Sequence, residues 1–481
     1  MDYSKLGFKA GLEIHQQLDS EKLFSGAPSY LRSDKPDYTV VRKLHAVAGE
    51  SGEIDEAVAH EASLEREFHY EGYKDTISLV ELDEEPPKMI GEKALEICLE
   101  IALLLNCEIY PASQIMRKTV IDGSNTSGFQ RTVLIGHDGF LETSFGNVAI
   151  ESVALEEDSA RLISRDAKKA IFRLDRLGIP LVEIGTAPEL YSAEQVKEAA
   201  LKLGEILRAC RVKRGIGTIR QDVNVSIKGH ERVEIKGFQD PAMMVATIDK
   251  EVERQTRDLK EKKISGSVRN ALANGETEFM RPLPGKARMY PETDLPLLKI
   301  GLEKINKIKK NLPKLKTQIR DELKKKGLGD ELINLVLDSR DYLDSFTTLC
   351  KIYSKDANLV AKMVTLWRAE IAGKNKKTID DIENVLSERM LEKILELVKA
   401  KKIDISDVKQ IMVKLSEGVA FENAIKIEKL DANGLEEFVV KLIRDRPGLR
   451  ANAYMGQVMA HFKGKIDAKK AMEIIERSLK V

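Results

Sequence analysis

The sequence has few cysteines and no long apolar run. Four cysteines, Cys98, Cys107, Cys210 and Cys350, are scattered along 481 residues without any C-x-x-C spacing, which argues against a disulfide framework and a cysteine-based zinc site. The most apolar run, ICLEIALLLNC, contains Glu100 and is too short to cross a bilayer, and MDYSKLGFKA lacks the apolar core of a signal peptide. We therefore expect a soluble cytoplasmic protein in a reducing compartment, with no membrane partner.

Several common catalytic motifs are missing as well. The chain contains neither G-x-x-x-x-G-K-[ST] nor G-x-G-x-x-G, so any nucleotide site must be of a type other than a P-loop or a dinucleotide fold. G-x-S-x-G and H-E-x-x-H are absent too, and no cysteine has the sequence context of a nucleophile. The sequence therefore gives no support for a hydrolase that carries its own nucleophile.

The charges balance over the whole chain but not along it. The 78 lysines and arginines equal the 78 aspartates and glutamates, which excludes a wholly basic coat for nucleic acid. Residues 301–481, however, carry 37 basic and 28 acidic residues, so residues 1–300 hold an equal acidic excess. This asymmetry favours a cation-loaded site in the first part and contact with a polyanion in the second.

Hydrophobic periodicity indicates strands and helices in the first part of the chain. Residues 8–15 and 222–227 alternate apolar and polar side chains, which predicts strands with one buried face. Residues 91–106 and 192–211 repeat apolar residues every three or four positions, which predicts helices packed on the sheet.

The proline-rich stretch 280–296 ends this mixed region, and helical periodicity follows it to the end of the chain. The predicted fold class is α+β. We expect a mixed α/β domain with an antiparallel-rich sheet over residues 1–297, an all-α helical domain over 298–410 and a small α-helical tail domain over 411–481.

Two acidic clusters stand out as possible cation ligands. Glu13 and His15 lie two residues apart in a predicted strand, so their side chains leave the same face and could share a cation. LEEDSAR provides Glu156, Glu157 and Asp158, and carboxylates this dense stay ionised only when they are solvated or neutralised. Taken alone, Glu13 and His15 are more simply explained by a polar outer strand face, and Glu156, Glu157 and Asp158 by a solvated turn.

Residues 220–237 read as a hairpin with a polar face. Arg220, Asp222, Asn224, Glu234 and Lys236 could converge on that face, although an ordinary solvated antiparallel pair with a cross-strand ion pair explains them as well.

MRKTVIDGSNTSGFQRT combines Arg117, Lys118 and Arg131 with a loop rich in glycine, serine, asparagine and threonine. Such a loop can present backbone N–H groups and cations to phosphate, and a turn-rich hairpin is the alternative interpretation.

Taken together, these segments resemble the B/E family of the tRNA-dependent amidotransferases. The similarity spans nearly the whole chain, and DGSNTSGFQRT and ELDEEPP favour the archaeal E type over the bacterial B type. The segments that carry it are GLEIHQQLDSEKLF, LVELDEEPP, MRKTVIDGSNTSGFQRT, LEEDSAR, RLGIPLVEIGTAPEL, QDVNVSI, VEIKG, MYPETDLP and LRANAYMGQVMAHFKGKID.

The resemblance implies a cradle-shaped catalytic domain that binds ATP and Mg²⁺. It phosphorylates the γ-carboxylate of glutamate on mischarged glutamyl-tRNA(Gln), and ammonia then displaces the phosphate. The ammonia is expected from an asparaginase-like partner of the D type, in a heterotetramer. The implied metal ligands are Glu13, His15, Glu156 and Glu157. From their charges we assign catalytic roles to Glu13, His15, Glu157, Asp222 and Lys236. On the same basis we assign ATP contacts to Arg117, Lys118, Arg131, Asn224 and Glu234. Predicted tRNA contacts in the tail are Arg444, Arg446, Arg450, Lys463 and Lys465.

This sequence departs from the family pattern in two places. The aspartyl-tRNA-synthetase-like insertion usual in the E type has no room, because VERQTRDLKEKK runs almost directly into SVRNALANGETEFMRP. The cysteine cluster of the B type is replaced by KLFSGAPS, so we expect no zinc there. Two alternatives stay open: a B-type chain with A-type and C-type partners that also amidates aspartyl-tRNA(Asn), and a non-catalytic tRNA-binding module.

Overall fold

A computed structural model describes residues 1–45, 52–54, 59, 62–238, 241–283, 289–426, 432–462 and 468–479. These residues form two compact units, Met1–Lys316 and Thr317–Val481. The predicted α+β class is confirmed, because an antiparallel-rich sheet fills the first unit and helices fill the second. The three-domain division stays a prediction.

The first unit contains all the strands of the described chain. They are β1 (Lys9–Gln17), β2 (Tyr38–Arg42), β3 (Glu67–Gly72), β4 (Glu108–Ile109), β5 (Ala112–Ser113), β6 (Met116–Thr119), β7 (Phe129–Thr143), β8 (Gly146–Glu157), β9 (Arg161–Arg165), β10 (Lys169–Arg173), β11 (Pro180–Thr186), β12 (Ile219–Ser226), β13 (Val233–Phe238), β14 (Ser267–Ala271), β15 (Thr277–Arg281), β16 (Met289–Pro291) and β17 (Leu298–Lys299). The helices among its described residues are α1 (Tyr3–Leu6), α2 (Glu92–Leu104), α3 (Ala193–Ala209), α4 (Pro241–Glu261) and α5 (Leu302–Lys310).

Eleven strands make the main sheet. Its order is β15-β14-β13-β12-β1-β11-β8-β7-β6-β16, with β4 paired to β7, and only the β13–β14 pair is parallel. The order β2-β3-β10-β9 describes a four-stranded sheet, and β17 pairs with β5. Strand β1, the first in the sequence, lies at the centre between β11 and β12.

Helices cover one face of the main sheet. α2 packs on β7 and β8, α3 packs on β1 and β7, and α4 packs on β12 and β13. The Ser192 side chain caps α3 by accepting a hydrogen bond from the backbone N–H of Gln195. Val196, Leu203 and Leu207 then recur along the buried stripe of that helix. The predicted helices over 91–106 and 192–211 are therefore confirmed, with slightly shorter bounds.

The second unit is helical. Its helices are α6 (Lys316–Lys325, which begins at the unit boundary), α7 (Asp330–Val336), α8 (Arg340–Ile352), α9 (Ala357–Val364), α10 (Leu366–Asn375), α11 (Ile379–Val385), α12 (Glu388–Lys399), α13 (Val408–Ser416), α14 (Phe421–Ala424), α15 (Ala432–Asp445), α16 (Ala451–Phe462) and α17 (Ala468–Ser478), with a 3₁₀ turn at Ile405–Asp407. One apolar core joins α6 to α14, and a separate core joins α15, α16 and α17. None of the described helices combines the length and apolarity needed to span a membrane.

The loop between β6 and β7 is fixed by contact with the four-stranded sheet. Gly123 has φ +90°, and a Cβ atom built on it would lie 2.1 Å from Cδ1 of Phe68. The Tyr70 hydroxyl also donates a hydrogen bond of 2.9 Å to the carbonyl oxygen of Gly123. Only glycine fits this left-handed position against the buried ring.

We expect Gly123→Ala to destabilise the protein more than Gly146→Ala. Both glycines have positive φ, but a Cβ on Gly146 would meet no atom within 4 Å, so this control isolates the backbone strain. The clash with Phe68 should lower the free energy of unfolding by about 1–3 kcal/mol more in Gly123→Ala. Urea unfolding of both variants measures this difference, and equal losses would contradict the packing described for the loop.

Candidate active site

Strand alternation gives the centre of the main sheet two chemically different faces. On β1, Leu12 and Ile14 are buried in the core under the helices, while Glu13 and His15 lie on the opposite face. We call this second side the site face. The core face continues across β11 and β12 with apolar residues, so the helices bury one side only.

Three side chains of the site face converge. His15 Nε2 lies 3.1 Å from Oε2 of Glu183 and 3.6 Å from Oε1 of Glu13. One potential ligand atom from each of the three residues falls within 4.8 Å of the others, and no other such group occurs in the part of the chain that the structure describes. We call Glu13, His15 and Glu183 the carboxylate–histidine cluster. The register explains the contact, because His15 pairs with Glu183 across β1 and β11.

The cluster is strongly polarised. Burial and the Glu183 charge raise the pKa of Glu13. Burial by itself lowers the pKa of His15, but its hydrogen bond to Glu183 and the nearby carboxylates outweigh burial and raise it. Burial likewise opposes ionisation of Glu183, yet Lys118 and His15 hold its pKa well below the usual range. Without an ion, the surrounding carboxylates therefore favour a proton on the imidazole, and a bound cation could supply that positive charge instead.

Lys118 and Glu156 extend the cluster along the sheet. Lys118 Nζ lies 2.7 Å from Oε1 of Glu156 and 3.5 Å from Oε2 of Glu183. The Gln130 side chain donates to the other oxygen of Glu156 at 3.1 Å. Two further predicted site residues, Lys118 and Glu156, thus lie beside the carboxylate–histidine cluster.

Another charged group lies on the β12–β13 hairpin, next to Glu13. Lys236 Nζ lies 2.6 Å from Oδ2 of Asp222 and 2.5 Å from Oε1 of Glu234. Burial opposes the charged form of Lys236, but these two carboxylates raise its pKa. Asn224 pairs with Glu234 in the register, and its side-chain oxygen is buried without a hydrogen-bond partner. The predicted hairpin is confirmed, and all four of its predicted site residues lie on the site face.

Three predicted site residues lie away from the carboxylate–histidine cluster: Glu157, Arg117 and Arg131. Glu157 follows Glu156 in β8 and therefore points to the core face. Its Oε1 accepts from the backbone N–H of Arg131 at 2.9 Å and lies 3.3 Å from Nη1 of the same residue. Glu292, whose side chain is fully buried, accepts from Nε of Arg131 at 2.8 Å and from Nε of Arg117 at 2.9 Å. We call these four residues the arginine–carboxylate network.

Sequence reasoning missed Glu183 as a ligand candidate. The residue lies within RLGIPLVEIGTAPEL, a segment quoted only for the family resemblance. A usable signal existed, since Glu183 is the one charged residue of β11. Its contact with His15 depends on a pairing of residues 168 positions apart, which no local pattern contains.

The described tail residues that are predicted to contact tRNA lie in the second unit, at the end of α15 and in the turn that follows it. Arg444 is near the end of α15, and Arg446 and Arg450 lie in the turn before α16; all three are exposed. Arg446 donates to the side-chain oxygen of Gln457 at 3.3 Å. Lys463 and Lys465 lie outside the described residues.

The donor set of the cluster fits a hard divalent cation. Two glutamates, with Glu156 beside them, offer carboxylate oxygens of the kind that Mg²⁺ and Mn²⁺ prefer, and His15 adds one imidazole nitrogen. The cluster contains no thiolate. The side chains are partly exposed, so an ion and the oxygens of a substrate can reach them from solvent.

Comparison with known proteins places this site in a family. The family model of the GatB/GatE catalytic domain matches residues 8–306, a span that contains every residue of the cluster. An enzyme of the amidotransferase class is thereby indicated.

Individual relatives agree. The chain is 34% identical to the E subunit of the glutamyl-tRNA(Gln) amidotransferase of Methanocaldococcus jannaschii, over 100% of this chain and 99% of that protein. It is 36% identical to the protein of the same name from Pyrococcus abyssi, over 81% of this chain and 82% of the relative. The chain belongs to the GatB/GatE family. The M. jannaschii alignment covers 634 positions against 481 residues here, so that relative carries residues that this chain lacks.

Cation binding should depend on Glu183 and not on Glu157. We expect Glu183→Gln to weaken Mn²⁺ binding by at least roughly tenfold, because losing a charged ligand should cost no less than losing an outer-shell partner. Glu157→Gln is the matched control, since it removes a buried carboxylate of the other face. Titration calorimetry with Mn²⁺ measures both, after thermal melting confirms that each variant is folded. Loss of binding in Glu157→Gln with normal binding in Glu183→Gln would overturn the site.

Proposed function

We propose that this chain activates and amidates glutamate on glutamyl-tRNA(Gln), as one component of a multi-subunit enzyme. The observation that carries the proposal is the carboxylate–histidine cluster, flanked by Lys118 and Lys236 on one face of the family's catalytic domain. The relatives' shared name, which specifies the E subunit of a glutamyl-tRNA(Gln) amidotransferase, supports this choice of substrate.

The chemistry requires activation because ammonia does not displace oxide from a free carboxylate. A γ-carboxylate oxygen of the glutamyl group attacks the γ-phosphorus of ATP, the bond to the β,γ-bridging oxygen breaks, and ADP leaves with the electron pair. Ammonia then adds to the activated carbonyl carbon, the C–O bond to phosphate breaks, and nitrogen loses a proton. Both steps develop negative charge on phosphate oxygens, where fixed cations stabilise the transition state.

The residues of the site face suit this reaction. Glu13, His15 and Glu183, with Glu156 beside them, would hold Mg²⁺, which neutralises phosphate charge when bound. Lys118 and Lys236 contribute their own ammonium groups at the two ends of the cluster. Each lysine is held by carboxylates before substrate arrives, so its position is set in advance.

The ammonia is proposed to come from a partner. All four cysteines are buried, and burial raises the pKa of every one, that of Cys107 to about 12. Such thiols remain protonated at neutral pH and are poor nucleophiles for amide hydrolysis. We therefore propose that another chain donates the ammonia. The resemblance to the E type implies an asparaginase-like chain of the D type, in a heterotetramer with this chain.

The isolated chain should use ammonium, but neither asparagine nor glutamine, to make glutaminyl-tRNA(Gln). With ATP, Mg²⁺ and saturating ammonium, His15→Ala should lower the rate by at least about a hundredfold, since stabilisation of phosphoryl charge contributes several kcal/mol. His137→Ala, on β7 away from the cluster, is the matched control. An assay of tRNA-bound glutamine measures the product. Amide hydrolysis by the pure chain, or full activity of His15→Ala, would refute the proposal.

The exposed arginines of the tail are proposed to hold the body of the tRNA. Deleting residues from about 430 onward removes a helical group with its own apolar core. We expect a higher KM for glutamyl-tRNA and a flatter salt dependence, by roughly 0.7–0.9 in log–log slope for each lost phosphate contact. ATP binding should stay intact. Filter binding across a salt series measures the slope, and an unchanged affinity and slope would place the tRNA contacts elsewhere.

A further inference from the structure

Arg220 is a cation of the site face to which the proposed reaction gives no role. It lies on β12 directly opposite His15, and His15 in turn lies opposite Glu183 on β11. The side chains of such cross-strand partners leave the sheet on the same side, with Cβ atoms about 5 Å apart. The guanidinium therefore starts one strand away from the carboxylate–histidine cluster.

The contacts of Arg220 leave most of its donors for another group. Its side chain is 43% exposed, and Nη2 donates one hydrogen bond of 2.8 Å to Oδ1 of Asp158. Asp158 is buried and already accepts from the Gln17 side chain at 2.7 Å and from the backbone N–H of Ser159 at 2.8 Å. A guanidinium has five N–H donors, so this single hydrogen bond uses only one of the donors of Arg220.

Two further guanidinium groups lie on the Asp158 side of Arg220. Arg176 lies 3.8 Å from Asp158, and Arg161 donates to Asp175 at 2.6 Å. Burial lowers the pKa of Arg176, the charge of Asp158 opposes this, and the positive charges of Arg220 and Arg161 lower it further. Three cations thus face two carboxylates, next to a cluster rich in negative charge. An anion bound between these guanidinium groups and a cation held by the cluster would neutralise the positive charge on both sides.

We propose that Arg220 binds the phosphoryl group that is transferred at the carboxylate–histidine cluster. This assignment rests on the proposed function. A guanidinium offers two parallel N–H donors that match two non-bridging phosphate oxygens. In the transfer step the bond between the γ-phosphorus and the β,γ-bridging oxygen breaks while the glutamyl oxygen bonds to phosphorus, and charge spreads over the non-bridging oxygens. Arg220 contacts these oxygens from one side, and the ligands that hold the cation lie on the other side.

The alternative is that Arg220 only neutralises Asp158. Arg220→Lys separates the two roles, because lysine keeps a positive charge beside Asp158 but loses the two-pronged contact. Arg220→Ala removes both. Arg211→Ala is the matched control, since Arg211 is exposed in the turn that leads to β12 and is not on the site face.

Binding without turnover gives the first test. Calorimetry of the full chain with Mg²⁺ measures the affinity for β,γ-imido-ATP and for ADP. Arg220→Ala should bind β,γ-imido-ATP at least about tenfold more weakly than the wild type does, with ADP affinity little changed. Only the analogue has the third phosphate that Arg220 is proposed to contact. Arg211→Ala should match the wild type. If Arg220→Ala instead weakens only the binding of tRNA, the arginine contacts an RNA phosphate and the proposal fails.

Kinetics give the second test. With saturating ATP, ammonium and glutamyl-tRNA(Gln), Arg220→Ala should lower kcat by about a hundred- to a thousandfold, Arg220→Lys should also be slow, and added guanidinium chloride should partly restore Arg220→Ala. Wild-type rates and analogue affinity in both variants would overturn the role of Arg220 alone. A wild-type chain that neither binds the analogue nor amidates would overturn the proposed function, and this assignment with it. If Arg220→Ala fails to fold, Arg220→Lys decides the question.

Discussion

The period-two alternation of strand β1 is the constraint on which the site depends. β1 is hydrogen-bonded on both sides, to β11 and to β12, and its Leu12 and Ile14 are completely enclosed in the main core. A slip of one residue would move these side chains to the polar face and bring Glu13 and His15 into the core. The same burial energy that fixes the core therefore fixes which carboxylates meet His15.

Charge is distributed differently on the two faces of the sheet. On the site face, Glu13, Glu183 and Lys236 stay partly exposed and open to ligands, whereas the carboxylates of Glu156, Asp222 and Glu234 are buried. The core face holds the arginine–carboxylate network, in which Glu292 is shared by Arg117 and Arg131. A buried charge is costly unless its hydrogen bonds are filled, and here they are filled by these pairings. We conclude that the network anchors the segment after β16 to β6 and β7, while the site face is left for chemistry.

Much of this arrangement could be predicted from sequence, because local periodicity reports local structure. Strand β1, helices α2 and α3 and the β12–β13 hairpin follow directly from apolar spacing. The pairing of Glu183 with His15 could not be predicted, because register between distant strands depends on the whole sheet. Glu156 and Glu157 illustrate the same limit: their adjacency in sequence implied one site, whereas adjacency within a strand places them on opposite faces.

Anomalous diffraction from crystals of the full chain grown with Mn²⁺ and a non-hydrolysable ATP analogue would test the central claim most directly. The account predicts an anomalous peak within bonding distance of Glu13, His15 and Glu183, roughly 2.0–2.4 Å from the ligand atoms, with the terminal phosphate of the analogue on the site face. A manganese peak on the core face beside Glu157, with the carboxylate–histidine cluster empty, would contradict it.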